Sequence, residues 1–155
     1  MANWELYASA AAEAKAGRLE SALARYDQAL ILDPLFGEAW CNRGGVLFQL
    51  RRLDLALESF EKALAINTAD DRAWCNKAVT LALLGKCQEA LAAFESAVAA
   101  NPKNGETWMN KGVVLQALGR FEEALDCFER ADALGFRGLE DSIKSCVAAL
   151  EKRQK

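Results

Sequence analysis

Along most of the chain, large apolar residues and alanines recur at steps of three and four, and the pattern repeats every 34 residues. Four windows, 3–36, 37–70, 71–104 and 105–138, follow one another without insertion. The fourth column holds Leu6, Trp40, Trp74 and Trp108, the eighth Ala10, Gly44, Ala78 and Gly112, and the eleventh Glu13, Leu47, Leu81 and Leu115. Steps of four and three put these columns on one stripe of a helix. A second stripe follows at columns 20, 24 and 27: alanine throughout, then Tyr26, Phe60, Phe94 and Phe128, then alanine again. Each window therefore predicts two helices, near 3–16 and 19–32, 37–50 and 53–66, 71–84 and 87–100, and 105–118 and 121–134. A period in this range signals a stacked-repeat architecture, in which one helical hairpin cannot bury both apolar faces until it packs on its neighbours.

The punctuation agrees. Pro34 and Pro102 stand in the thirty-second column, where they stop the second helix. Gly17, Gly85 and Gly119 occupy the fifteenth, between the two helices, where a positive φ ends the first. Window two departs from this with Arg51 in the glycine column and Thr68 in the proline column. Window one has Leu6 for tryptophan and Glu13 at an otherwise apolar position, which leaves its first helix the least typical. After window four, Leu139, Ile143, Cys146, Val147 and Leu150 form one more apolar stripe backed by charge. This predicts a capping helix over about 139–152, of the polar-backed kind a solenoid end requires. Residues 1–155 are accordingly expected to form a single domain.

A large aromatic at column 4, a small residue at 8, Gly at 15, Ala at 20, an aromatic at 24, Ala at 27 and Pro at 32 together resemble the tetratricopeptide repeat. The resemblance covers about residues 3–138. It implies an all-α fold, a right-handed α-α superhelix of antiparallel helical hairpins. In that family the first helices of successive repeats line a concave groove, which implies that columns 2, 5, 6, 9, 12 and 13 face it here.

Composition narrows the function. The 155 residues are 52% hydrophobic and 26% charged with a net charge of -3, so no global field favours nucleic acid or an anionic membrane. No histidine is present, and there is no Gly-x-Ser-x-Gly or phosphate loop. Carboxylates such as those of "FEEALD" read as solvated helix faces, so the expectation is a protein that is not an enzyme and needs no cofactor. The five cysteines are scattered, with no CxxC pair, which argues against a disulfide framework and a metal site and fits reduced thiols in a cytoplasmic protein. The N-terminal stretch lacks the form of a signal peptide, and no apolar run is long enough to span a membrane.

Binding is what remains. The groove columns contain Asn42, Asn76 and Asn110 in column 6, each two residues after the tryptophan of "WCN" or "WMN". The tryptophan is expected to point into the stack and the asparagine, about 200° around the helix, away from it. An amide offers a donor and an acceptor together and can pair with any peptide backbone. Stacked hairpins about 10 Å apart would present one amide to roughly every third residue of an extended chain. Asparagine is also common at this column in such repeats without any known ligand, so a peptide-holding ladder and simple helix solvation both stand open. Cys41, Cys75 and Met109 in column 5, with Phe48, Val79 and Val113, give the groove a soft, mostly apolar floor. Arg72 is the cation among the candidate binding residues. Arg43, Lys77 and Lys111 make a basic row in column 7, read as a snorkelling edge.

Relatives that hold the acidic tails of heat-shock chaperones use a five-residue carboxylate clamp. Its positions here are Tyr7, Ala11, Asn42, Arg72 and Asn76, of which only Asn42 and Arg72 fit, so no such clamp is expected. The expected function is a scaffold that binds an extended protein or peptide segment. The alternative is a structural unit that self-assembles through the same groove, a homo-oligomer. RNA binding, known for a related hairpin repeat with basic grooves, fits poorly because this groove lacks net positive charge.

Overall fold

The computed structural model describes residues 2–153. Among them are nine helices and no strand: α1 (Asn3–Lys15), α2 (Leu19–Leu32), α3 (Gly37–Gln49), α4 (Leu53–Ile66), α5 (Asp71–Leu83), α6 (Cys87–Ala100), α7 (Gly105–Ala117), α8 (Phe121–Ala133) and α9 (Glu140–Arg153). Consecutive helices pair as antiparallel hairpins, and each hairpin stacks on the next, so the molecule is an all-α solenoid.

The column-24 aromatics carry the core. Tyr26, Phe60, Phe94 and Phe128 are among the largest fully buried side chains, each on the second helix of its hairpin. Phe60 and Phe128 press on the column-8 glycines of their first helices, Gly44 and Gly112. At Gly44 the approach is so close that a Cβ would lie 2.6 Å from a Phe60 ring carbon, so glycine sets the separation of α3 and α4. The buried side chains form two clusters, one over α1–α4 with Ala73 of α5 and one over α5–α9, and Trp74 packs against both. Cys146 and Leu139 join the second cluster with Ile143 packed on it, which seats α9 against α8.

The turns within the hairpins share one geometry. Gly17, Gly85 and Gly119 have φ of 76°, 77° and 72°, and Arg51 takes the same left-handed conformation at 62°. The solenoid therefore imposes the backbone and Arg51 bears the strain a side chain meets there.

The tryptophans pack against the core to different depths. Trp108 is 8% exposed, but Trp40 and Trp74 are only half-buried. Each indole Nε1–H donates at 2.9 Å to the carbonyl six residues earlier, of Pro34, Thr68 and Pro102, and so pins the first helix to the preceding turn. A polar N–H needs such a partner, and the carbonyl lies at the hairpin edge, so the ring cannot retreat fully into the core. Cations cover the rings: Lys62 lies 4.4 Å from the Trp40 centroid, Lys77 5.5 Å from that of Trp74, and Lys111 5.4 Å from that of Trp108.

The basic row of column 7 has a specific task. Arg43 pairs with Asp27 at 2.7 Å, Lys77 with Glu61 at 3.1 Å and Lys111 with Glu95 at 2.6 Å. Each bridge joins the first helix of one repeat to the second helix of the repeat before it, so the same charge pair is written three times across three seams.

Candidate functional site

The first helices α1, α3, α5 and α7 face one hollow. Two adjoining cavities occupy it, of about 300 Å³ and about 480 Å³. Asn42 and Asn76 both line the first, and Asn76 and Asn110 both line the second, so the three amides follow one another along a single wall. Gly45, Gln49 and Asn76 belong to both cavities and join them.

The amides are not equivalent. Asn42 donates to the Tyr7 hydroxyl at 2.9 Å and accepts from Arg72 Nη2 at 2.8 Å. Tyr7 in turn donates to Glu38 Oε1 at 2.6 Å. Burial and, after it, the Glu38 carboxylate push the Tyr7 phenol well above its ordinary pKa, so it keeps its proton and donates at neutral pH. Four side chains from α1, α3 and α5 thus form a polar chain that ties the first three repeats together. An amide has two donors and two acceptor lone pairs, so Asn42 keeps part of its capacity for another partner.

Asn76 and Asn110 have no such polar partners. Asn110 Nδ2 donates to Cys75 Sγ at 3.8 Å, whereas Cys41 Sγ accepts from Arg72 Nη2 at 3.9 Å and the Asn76 amide makes no side-chain hydrogen bond among the described residues. Thiols are weak hydrogen-bonding groups, so these two amides remain the more available. Cys41 and Cys75 are 2% and 6% exposed and lie beneath the groove surface. Burial raises the thiol pKa of both, that of Cys41 to about 11, which leaves them protonated and poor nucleophiles.

Phe48 and Val79 line the second cavity. Val113 is 46% exposed and lies outside both cavities, and Met109 is half-buried against the α5–α9 core. Arg72 reaches the first cavity, where it meets Lys15 at the end of α1, and Glu106 stands on the second. Lys15, Gln49 and Glu106 also line the hollow, although they belong neither to its apolar floor nor to the asparagine column; their columns, 13 and 2, are groove-facing ones. Neither Tyr7 nor Ala11 supplies the cation and amide that a carboxylate clamp would need there.

No described helix is long and apolar enough to cross a membrane, and no group of three or more metal-ligating side chains occurs among the described residues.

A search of curated proteins finds no match. Among solved structures, the crystal structure of MamA superposes with a TM-score of 0.81 at 20% identity, over 86% of this chain and 78% of that one. A MamA fragment, 41-end, from Desulfovibrio magneticus RS-1 gives 0.79 at 23% identity, over 86% and 75%. The first tetratricopeptide repeat domain of Spaghetti (RPAP3), solved bound to the HSP90 peptide SRMEEVD, gives 0.73 at 23% identity, over 76% and 93%. At these identities the likeness concerns the fold. A tetratricopeptide repeat family model matches residues 7–72 and 75–135, most of the chain. With the 34-residue period, the stacked hairpins and this match in agreement, the chain belongs to the tetratricopeptide repeat family of helical interaction scaffolds.

Proposed function

We propose that the protein is a non-enzymatic scaffold that holds an extended segment of a partner protein in the hollow faced by α1, α3, α5 and α7. The observation that carries the reading is the succession of Asn42, Asn76 and Asn110 along two joined cavities. One amide in each of the last three repeats gives sequence-independent pairing to a backbone, and Phe48, Val79 and Val113 offer apolar surface for its side chains. A fold relative solved with a peptide bound supports the same mode of use. A module of this size reaches micromolar affinity, about -8 kcal/mol.

The test is selection of 12-residue peptides from a random displayed library, followed by anisotropy titration of the enriched sequences. Asn76→Ala with Asn110→Ala should weaken them at least about tenfold while far-UV circular dichroism is unchanged, since each amide that held a backbone group contributes on the order of 1 kcal/mol. Unaltered affinity rejects the ladder. The rival use, self-assembly through this groove, draws on Leu83 and Val113, apolar residues 49% and 46% exposed on groove-facing columns. Light scattering decides between them: a mass independent of concentration supports peptide capture, and a dimer dispersed by Val79→Arg supports assembly.

A further inference from the structure

The charges along the groove carry information that the amides do not. The first cavity is lined by two cations, Lys15 from α1 and Arg72 from α5, with Asn42, Asn76 and Gln49 beside them and no carboxylate among its lining residues. Neither cation takes part in an ion pair among the described residues, although other lysines and arginines of the solenoid do. The acids whose charge acts on Arg72 make no ion pair with it: Glu38 accepts from Tyr7, and the Asp70 carboxylate caps α5 by accepting from Ala73 N. Arg72 is held by Asn42 Oδ1 rather than by a carboxylate, which leaves guanidinium donors toward the cavity. The second cavity has the opposite sign. Glu106 is its one charged lining residue and is also without an ion pair among the described residues, with Phe48 and Val79 on the apolar wall.

Arg72 and Glu106 occupy the same column in consecutive repeats, so about 10 Å, one hairpin step, separates them. An extended chain covers that distance in about three residues. Building on the peptide-groove reading, we propose that the partner is an extended segment carrying an acidic side chain seated between Lys15 and Arg72 and, about three residues away, a basic side chain whose aliphatic stem lies on Phe48 and Val79 and whose head meets Glu106. The acid gains charge-assisted hydrogen bonds from a guanidinium and two or three amides. The long base suits a cavity with an apolar wall and one carboxylate better than a short residue does. Opposite signs one repeat apart fix the register of the segment, which a run of identical asparagines cannot do by itself, because every one-repeat shift would otherwise pair equally well.

The experiment uses a random 12-residue library fused to its carrier at the C-terminus, so that every selected acid is a side chain and no chain-end carboxylate is offered. Wild-type protein is expected to enrich sequences with Asp or Glu three or four positions from Lys or Arg. Arg72→Gln and Lys15→Gln should each weaken those peptides by about tenfold, and each loss should grow as salt falls. Lys15 has no internal partner among the described residues, so its variant tests the cavity without disturbing the Asn42 chain. Glu106→Lys should turn the selected base into an acid. If peptides are enriched and lost on Val79→Arg but show no such charge pair, the charge register is wrong and the groove reading survives. Failure to enrich anything, or enrichment indifferent to Val79→Arg, overturns both.

Discussion

The two ends of the groove use the same asparagine in different ways. At the N-terminal end, Asn42 is locked between Tyr7 and Arg72, in a chain that reaches Glu38 and crosses three helices. Toward the C-terminal end, Asn110 touches only a thiol, and the charge facing it is a single carboxylate. The same residue in the same column is tied into a polar chain in one repeat and left half-buried with a single weak partner in another. The difference arises from its neighbours. Window one places Tyr7 and window three Arg72 within reach of Asn42, whereas the repeats around Asn110 offer sulfur and aliphatic carbon. Column identity therefore does not define role; the side chains of the flanking repeats do.

The core provides the sharpest control on that contrast, because there the two halves should behave alike. Phe60→Ala and Phe94→Ala remove equivalent fully buried rings from the two clusters, and each is expected to cost about 3–5 kcal/mol in urea unfolding. A large inequality would mean that the clusters are not energetically equivalent. Next comes the asparagine contrast itself. Asn42→Ala leaves Tyr7 and Arg72 each short of a partner and should cost about 1–2 kcal/mol, while Asn110→Ala should cost below about 0.5 kcal/mol. Equal losses would break the comparison.

A third effect is shared by the halves. Burial raises the Cys41 thiol, in the first, and the Cys127 thiol, in the second, from 9.0 to about 11. A raised folded pKa means that the unfolded chain loses its protons first, so this contribution is full well below pH 9 and is lost as pH rises through 9 toward 11. The two thiols together should remove roughly 1 kcal/mol once pH reaches 9, and replacing either with alanine should about halve that loss. The smallest effect is local to the first half: Arg51→Gly relieves a left-handed residue that the second half never contains at this turn. It should stabilise by about 0.5–1 kcal/mol, read as a higher urea midpoint with unchanged m-value.

Much of the solenoid was legible beforehand because its signals are local. Ala and Phe at columns 20, 24 and 27 sit on one helical face whatever lies outside, and a left-handed turn after each first helix follows from Gly17, Gly85 and Gly119. Arg51 shows the limit of that reading: the turn forms there too, since stacking on both sides fixes the backbone. The tryptophans were harder. Their size suggested the core, but the indole N–H and the carbonyl six residues back hold them at the edge, a pairing that only the folded turn creates.

The amino-acid pattern by itself determined the hairpins, their period, and which columns share a face, because each depends on spacings of three, four and 34 along one chain. Only the tertiary structure decided that Asn42 belongs to a polar chain, that the column-7 cations bridge to acids of the preceding repeat, and that Lys15 meets Arg72 across one cavity. Those groups lie 16 to 57 residues apart in sequence and meet only when hairpins stack, so no local rule could bring them together.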